Sequence, residues 1–368
     1  MAKRVGKSAA VAKRVARAPE EATGGPGKGE GGKKLEALPT DAPGKASAAG
    51  PKSGVVVVGS LNMDLVVRTE AMPRPGETVM GQDLLQNPGG KGANQAAAAG
   101  RLWVKRTPGA KIIGRIGEDV FGENMLIALH KAKVDVTSVL KTRGAPSGTA
   151  MILVDRHGEN AIVVASGANR HLSASDLLAE RKTIETSVVL TAQLEIPHDT
   201  VACAFALARR SNVLTILDPA PAPSEGLPES LYHVDILTPN QMEAQILTGM
   251  PVRNLEEARR AAERFLIRGT RIVVMKMGSQ GAAIVQKDER GVETIVQHVT
   301  GYRVQPVDTT AAGDAFTGAM AVGLAEGMPL AAAVKFANAA GALTCLKSGA
   351  MGAIPTRAEV DAFMAERA

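Results

Sequence analysis

From Val55 onward, short runs of β-branched and aliphatic residues alternate with stretches in which apolar positions recur every three or four residues. Val55 to Val58 are four valines in succession, a pattern that suits a strand covered on both faces rather than one with a wet side. The same reading predicts strands at 112–114, 151–154, 161–165, 188–194, 213–217, 236–238, 272–275 and 282–285. Helical periodicity appears at 95–102, 120–133, 200–209, 255–268 and 312–324. Strands alternating with helices predict parallel βαβ units, hence an α/β sandwich with a mainly parallel central sheet. Segments 151–154 and 161–165, joined by a polar loop from Asp155 to Asn160, predict a hairpin. With 65–69 and 78–81 they predict a small antiparallel β lid at one edge of the main sheet, its strands drawn from about 65–90 and 148–166.

Residues 1–54 show no lasting apolar period and are rich in Gly, Ala, Lys and Pro, so they read as a disordered basic extension ahead of one domain at 55–368. The charge is just as uneven. The net +6 of the chain lies entirely in that extension, which holds 11 Lys/Arg and 5 Asp/Glu, while the remainder balances 32 bases against 32 acids. A neutral body with 2% aromatic residues argues against nucleic acid as a partner, because it lacks both a basic face and stacking platforms. Charged side chains recur too often along the chain to leave an uncharged stretch long enough to span a membrane. The segment from Met1 to Ala18 carries Lys3, Arg4, Lys7, Lys13, Arg14 and Arg17 and no acid. A transit peptide, a solvated bacterial tail and an early start codon all fit that pattern, so the cytoplasm is the expected compartment with organelle targeting left open. Two cysteines and six scattered histidines offer no disulfide framework or zinc spacing.

Two loops carry candidate chemistry. Val307-Asp308-Thr309-Thr310-Ala311-Ala312-Gly313-Asp314 runs into a helix whose Phe316, Met320 and Leu324 share a face. Free amides and the positive dipole end of a helix start favour an anion, and small residues let a phosphate approach. Asp314, in the first turn, is placed to take a proton from an attacking hydroxyl. Asn87-Pro88-Gly89-Gly90-Lys91-Gly92-Ala93-Asn94 is the second loop, with donors at Lys91 and Asn94. Asn62-Met63-Asp64 follows the first strand, at the carboxyl end where open α/β sheets bind ligands, and an ionised Asp accepts from two adjacent hydroxyls. Gly27 to Lys34 nearly spells a P-loop but lacks the final Ser/Thr and a preceding strand.

Together these segments resemble the ribokinase branch of the PfkB sugar-kinase family. The resemblance covers nearly all of 55–364 and is carried by Gly89 to Gln95 and by Asp308 to Phe316. Asn62-Met63-Asp64, Pro75 to Thr78, Gln193-Leu194-Glu195, Asp218 to Pro221 and Thr238 to Glu243 fall in the family's order. It implies a ribokinase-like three-layer α/β/α fold and ATP-dependent phosphorylation of D-ribose at its 5-hydroxyl. Asp314 would be the base, and the amides of Ala311, Ala312, Gly313 and Asp314 the anion hole. Asn62, Asp64, Gly90, Lys91, Asn94 and Glu195 would bind the sugar. Asn240 and Glu243 would organise magnesium and the phosphates, with Lys276, Gly278, Gly281, Gly313 and Asn338 around the nucleotide. The resemblance also implies activation by potassium near Asp308, Thr310, Thr344, Lys347, Gly349 and Ala353. Ala353 stands where the family has a serine ligand, which weakens that expectation. A homodimer through the lid is implied as well.

Rival substrates within the class are deoxyribose, fructose, a sugar phosphate and a nucleoside. The segments expected to cover the sugar, 55–102 and 143–165, hold no aromatic residue to stack on a base. A non-catalytic sugar sensor is the reading from another class, and it fits poorly with an intact Ala-Ala-Gly-Asp run. The loop at 102–111, which carries the chain's only tryptophan, Trp103, looks extended and suggests no function.

Overall fold

A computed structural model describes residues 52–105 and 109–367. The predicted extension lies almost wholly outside the described residues, as does part of the loop after Trp103. The body begins just before Val55: the Ser53 amide donates to the Thr186 carbonyl at 2.9 Å, and the Lys52 ammonium to the Asn212 carbonyl at 2.6 Å.

The main sheet runs, from one edge, Thr294–Thr300, Gly281–Lys287, Ile272–Lys276, Ile236–Leu237, Leu214–Leu217, Val189–Ala192, Val55–Val58, Ala110–Gly117 and Val134–Asp135, with Val139–Thr142 beside Ala110–Gly117. Every pairing from Ile272–Lys276 to the far edge is parallel, and the first two strands in this order join antiparallel. The valine run explains itself here. Val55 and Val57 enter one hydrophobic core, built with helices Lys91–Leu102, Ala312–Ala325 and Leu330–Thr344, while Val56 and Val58 enter another, built with His198–Arg210 and Leu255–Ile267. The result is the expected three-layer α/β/α sandwich. Burying both faces is what makes alternation vanish from the strand's sequence.

The lid is a separate four-stranded sheet in the order Gly81–Gly89, Asn62–Thr69, Gly148–Val154, Asn160–Ala165. Its outer pairings are antiparallel, and its middle one, Asn62–Thr69 with Gly148–Val154, is parallel. Three details differ from the sequence reading. The strand expected at 78–81 is Gly81–Gly89 instead, so Asn87-Pro88-Gly89 ends a strand where a loop was expected. Pro88 is tolerated because this is an edge strand, with no strand among the described residues on its far side to need the missing N–H. Asn62-Met63-Asp64 likewise opens a strand, and the helix read from Gln95 already begins at Lys91. The lid also grows out of Val55–Val58, which is interior to the main sheet, through only Gly59, Ser60 and Leu61.

Helix Lys91–Leu102 packs unusually close to helix Ala312–Ala325. A Cβ on Gly318 would lie 2.6 Å from the Gln95 carbonyl oxygen and 2.7 Å from the Ala98 Cβ, so only glycine permits the contact. The alanines 96 to 99 beside this contact are all fully buried. Small side chains thus bring the first turns of two helices, distant in sequence, to the same point at the carboxyl ends of the strands.

Candidate active site

Asp314 lies in the first turn of Ala312–Ala325 and is 7% exposed. Asn94, one turn into the facing helix, donates its Nδ2–H to Asp314 Oδ2 at 3.0 Å, while its own Oδ1 is buried without a partner. Gln95 Nε2 lies 3.5 Å from Asp314 Oδ1 and 3.0 Å from Asp218 Oδ2. Burial pushes the Asp314 carboxyl up; Lys91 opposes this and Asp218 adds to it, leaving a pKa of about 7.

Asp64 is 8% exposed, and among the described residues no donor bonds its carboxylate. Burial, then the charges of Glu195 and Asp314, raise its pKa to about 7. A Cβ on residue 89 would stand 2.2 Å from Asp64 Oδ2, so Gly89 keeps that oxygen's surroundings open. Glu195 Oε2 accepts from Ser60 Oγ at 2.5 Å, the Lys91 amide at 3.1 Å and Asn62 Nδ2 at 3.3 Å. Asn169 Nδ2 donates to Asn62 Oδ1 at 2.7 Å, and its Oδ1 accepts from the Leu61 amide at 2.9 Å, which fixes the start of the lid strand. Burial works against the Lys91 ammonium, yet Asp314, Glu195, Asp218 and Glu243 together raise its pKa and keep it charged.

Beside Asp314 opens a cavity of about 550 Å³, lined among others by Lys91, Asn240, Glu243, Lys276, Gly278 and Gly313. Asn240 caps helix Gln241–Thr248 through a reciprocal box with Glu243: each backbone amide donates to the other's side chain, at 2.7 and 2.8 Å. Lys276 Nζ is tied to Asp218 Oδ1 at 2.8 Å and stands 3.6 Å from where a Cβ on Gly313 would be. Burial disfavours its charge, but Asp218 and Glu243 outweigh that and raise its pKa. Ala311 precedes the helix with φ 61°, a left-handed conformation that a non-glycine residue adopts at some cost in strain. Ala311, Gly313 and Asp314 line the cavity, but the Ala312 amide donates to the Thr309 carbonyl at 3.2 Å. That bond closes the turn, so one of the four amides expected in the anion hole is already engaged.

Two other expectations are changed. Asn338 Nδ2 donates to the carbonyls of Val299 and Thr300 at 3.1 and 3.3 Å, fastening the end of a sheet strand, and neither Asn338 nor Gly281 lines this cavity. The segments expected to hold potassium do meet: Asp308 accepts from the amides of Thr310 and Gly349, both at 2.9 Å. Burial raises the Asp308 carboxyl, but these donors prevail and its pKa is lowered. Thr344 Oγ1, however, bonds the Ala340 carbonyl, Lys347 pairs with Glu359, and Ala353 is a buried methyl. Ala353 has no side-chain oxygen and the Lys347 ammonium is itself a cation, so neither side chain can be a ligand, while the Thr344 hydroxyl has given its hydrogen to the Ala340 carbonyl.

Sequence reasoning missed Ser60, Gln95, Asn169, Gln193, Asp218 and Thr317. The signal was there for some: Gln95 interrupts an alanine-rich helix, and Asp218 follows a buried strand at its ligand-facing end. For Asn169, in a loop after the lid hairpin, nothing local marks the contact with Asn62.

A buried carboxylate beside helix-start amides, facing a second carboxylate held open beneath a lid, defines a phosphotransferase for polyhydroxylated small molecules. Over residues 52–357 the chain matches the pfkB family carbohydrate kinase model, and it belongs to that family. A ribokinase from Haemophilus influenzae is 38% identical over 310 residues, covering 84% of this chain and 98% of the relative. A crystal structure of ribokinase from Thermotoga maritima superposes with a TM-score of 0.75 at 36% identity, over 85% of this chain and 99% of that one. Ribokinase from Arabidopsis thaliana, complexed with ribose and ATP, gives 0.76 at 32% identity, over 85% and 99%.

The raised pKa of Asp64 has a measurable cost. Its folded value, about 7, exceeds the unfolded value of 3.8, so the folded chain holds the extra proton and this group's contribution to stability falls as pH rises from about 4 through 7. Asp64→Asn is expected to raise the thermal midpoint of the ligand-free protein at pH 8 by a few degrees, on the order of 1–3 kcal/mol, while sugar binding is lost. A lower midpoint at pH 8 would contradict this account.

Proposed function

We propose that this protein transfers the γ-phosphoryl group of ATP to the 5-hydroxyl of D-ribose, giving D-ribose 5-phosphate and ADP. The carrying observation is that buried Asp64, whose carboxylate takes no hydrogen bond from the described residues, and the unpartnered Asn94 Oδ1 gather at Asp314, a carboxylate whose pKa of about 7 suits a general base. Two adjacent sugar hydroxyls donate to Asp64, and Asn94 Oδ1 accepts a third. Glu195, oriented by Ser60 and Asn62, and the backbone around Gly90 complete the cradle. This fits ribose and leaves no stacking surface for a nucleoside base.

In the reaction, Asp314 takes the proton of the 5-hydroxyl as its oxygen bonds to the γ-phosphorus. The bond from that phosphorus to the β-γ bridging oxygen breaks, and ADP departs with the electron pair. The amides of Ala311, Gly313 and Asp314, with the helix dipole, face the charge spread over the γ-phosphoryl oxygens. Lys276 lies within reach of the same group. Asn240 and Glu243 bring hard oxygen donors to the cavity wall and fit a divalent ion that travels with the phosphates. Magnesium bound there would neutralise charge on the β- and γ-phosphates. For potassium, the support is narrower: the loops joined by Asp308 offer backbone carbonyls and one ionised carboxylate, so activation by potassium through that pair of loops is part of the proposal. The reaction is assigned to the cytoplasm, where ATP is available; among the described residues no helix is long and apolar enough to cross a membrane.

The experiment is an ADP-release assay across ribose, deoxyribose, fructose and nucleosides, with potassium or sodium as the monovalent cation. Ribose is expected to turn over fastest, and kcat/KM to rise with pH through about 7 as Asp314 ionises. Asp314→Asn is expected to keep ribose affinity while kcat falls ~10²-fold or more. Folded protein inactive on every sugar would reject the reading.

Exposed apolar residues on the lid support a homodimer. Strand Asn160–Ala165 is exposed along its whole length, with Val163 at 68%; Met151, its partner on the adjacent strand, is exposed too, as is Leu84 on the opposite edge strand. An uncovered apolar sheet with an open edge favours pairing with another copy. Sedimentation velocity at assay concentration is expected to show a species of twice the chain mass; a stable monomer would exclude the lid dimer.

A further inference from the structure

We propose that Gln95, itself oriented by Gln193, is a positioning residue that fixes the Asp314 carboxylate for proton transfer. The inference rests on Asp314 being the base and extends that reading to groups that never meet the substrate.

Gln95 is fully buried, on a helix face it shares with Gly92, Ala98 and Ala99, where an unpartnered amide would be costly. Its Nε2 points at two carboxylates, Asp218 Oδ2 at 3.0 Å and Asp314 Oδ1 at 3.5 Å. Two acceptors at that end require the amine there, which turns the Gln95 carbonyl the other way. A donor meets it: Gln193 Nε2 donates to Gln95 Oε1 at 2.6 Å. The chain of amides therefore has one consistent direction. Room for Gln193 exists because residue 59 is glycine; a Cβ there would stand 2.2 Å from Gln193 Oε1.

Asp218 anchors the arrangement. It is held by Lys276 Nζ at 2.8 Å and by Thr317 Oγ1 at 3.3 Å, so the acceptor that locates Gln95 is itself fixed. With Asn94 on Oδ2 and Gln95 on Oδ1, each oxygen of Asp314 faces one donor, and the plane of the carboxylate is set before any sugar enters. A donor toward the ionised form also favours that form. Besides these amides, the charged groups acting on Asp314 are Lys91 and Lys276, which favour its ionisation, and Asp64, Asp218 and Glu195, which oppose it.

The test compares Gln95→Leu, Gln193→Leu, Asp314→Asn and the Gln95→Leu/Asp314→Asn double variant, all in the full chain. Each is measured for ribose dissociation constant, KM for ATP, kcat, and kcat/KM against pH. Gln95→Leu is expected to lower kcat about 10–100-fold with ribose affinity and ATP KM nearly unchanged, and to move the acid limb of kcat/KM to higher pH. Gln193→Leu should do the same more weakly. In the Asp314→Asn background, Gln95→Leu should cost nothing further, because the group it positions is gone. Parent kcat and an unmoved acid limb in Gln95→Leu would overturn the proposal while leaving the base in place, as would losses that multiply in the double variant. Should Gln95→Leu fail to fold, Gln193→Leu, which touches neither carboxylate, decides by the same limb and the same cycle. Retained turnover in Asp314→Asn would instead remove the base assignment, and this role with it.

Discussion

The site depends on how closely two helix starts approach. Asn94 and Gln95 belong to one helix and Asp314 to another much later in the chain, and they meet because Gly318 and a run of alanines remove the side chains that would keep the helices apart. Close-packed interiors respond to single methyl groups, so this seam sets the distance between the Asp314 carboxylate and the side-chain amides of Asn94 and Gln95. The interior strands end at the same level, which puts Glu195, Asp218 and Asn240 around that meeting point.

Much of the architecture was written in the local pattern. The valine run at 55–58 and the alternation of strands with helices led to the layered α/β sheet, because strands buried on both faces have a characteristic composition. The lid was harder to read. Asn87-Pro88-Gly89 looks like a loop by residue type, yet it pairs with the strand at 62–69, since an edge position removes the usual objection to proline. The parallel pairing at the lid's centre joins Asn62–Thr69 to Gly148–Val154, with a helix, a main-sheet strand and more between them in the chain, and no local signal specifies it.

Asp314 and the glycine-rich stretch around Lys91 stood out in the sequence because their residue types carry obvious chemistry, and the fold does bring them to one place. Their supports did not stand out. Asn169, Gln193 and Thr317 act through partners far away in sequence, and an amide or hydroxyl inside an apolar run looks the same whether it faces a carboxylate or merely caps a turn. The segment expected to hold a monovalent cation shows the reverse problem: Thr344 and Lys347 fall in suitable order, but the fold turns the Thr344 hydroxyl onto the Ala340 carbonyl and pairs the Lys347 ammonium, itself a cation, with Glu359.

Carboxylates outnumber ammonium groups around the cradle: Asp64, Glu195, Asp218, Glu243 and Asp314 face Lys91 and Lys276. A neutral pentose enters that field without penalty, but the same molecule leaves it carrying a phosphate of nearly two negative charges. Coulomb repulsion from the cradle carboxylates then acts on the ester, to which the phosphate is now tied, and not on the neutral sugar. On the proposed reaction, the anionic surplus that makes the empty protein less stable would thus also discourage the finished ester from lingering.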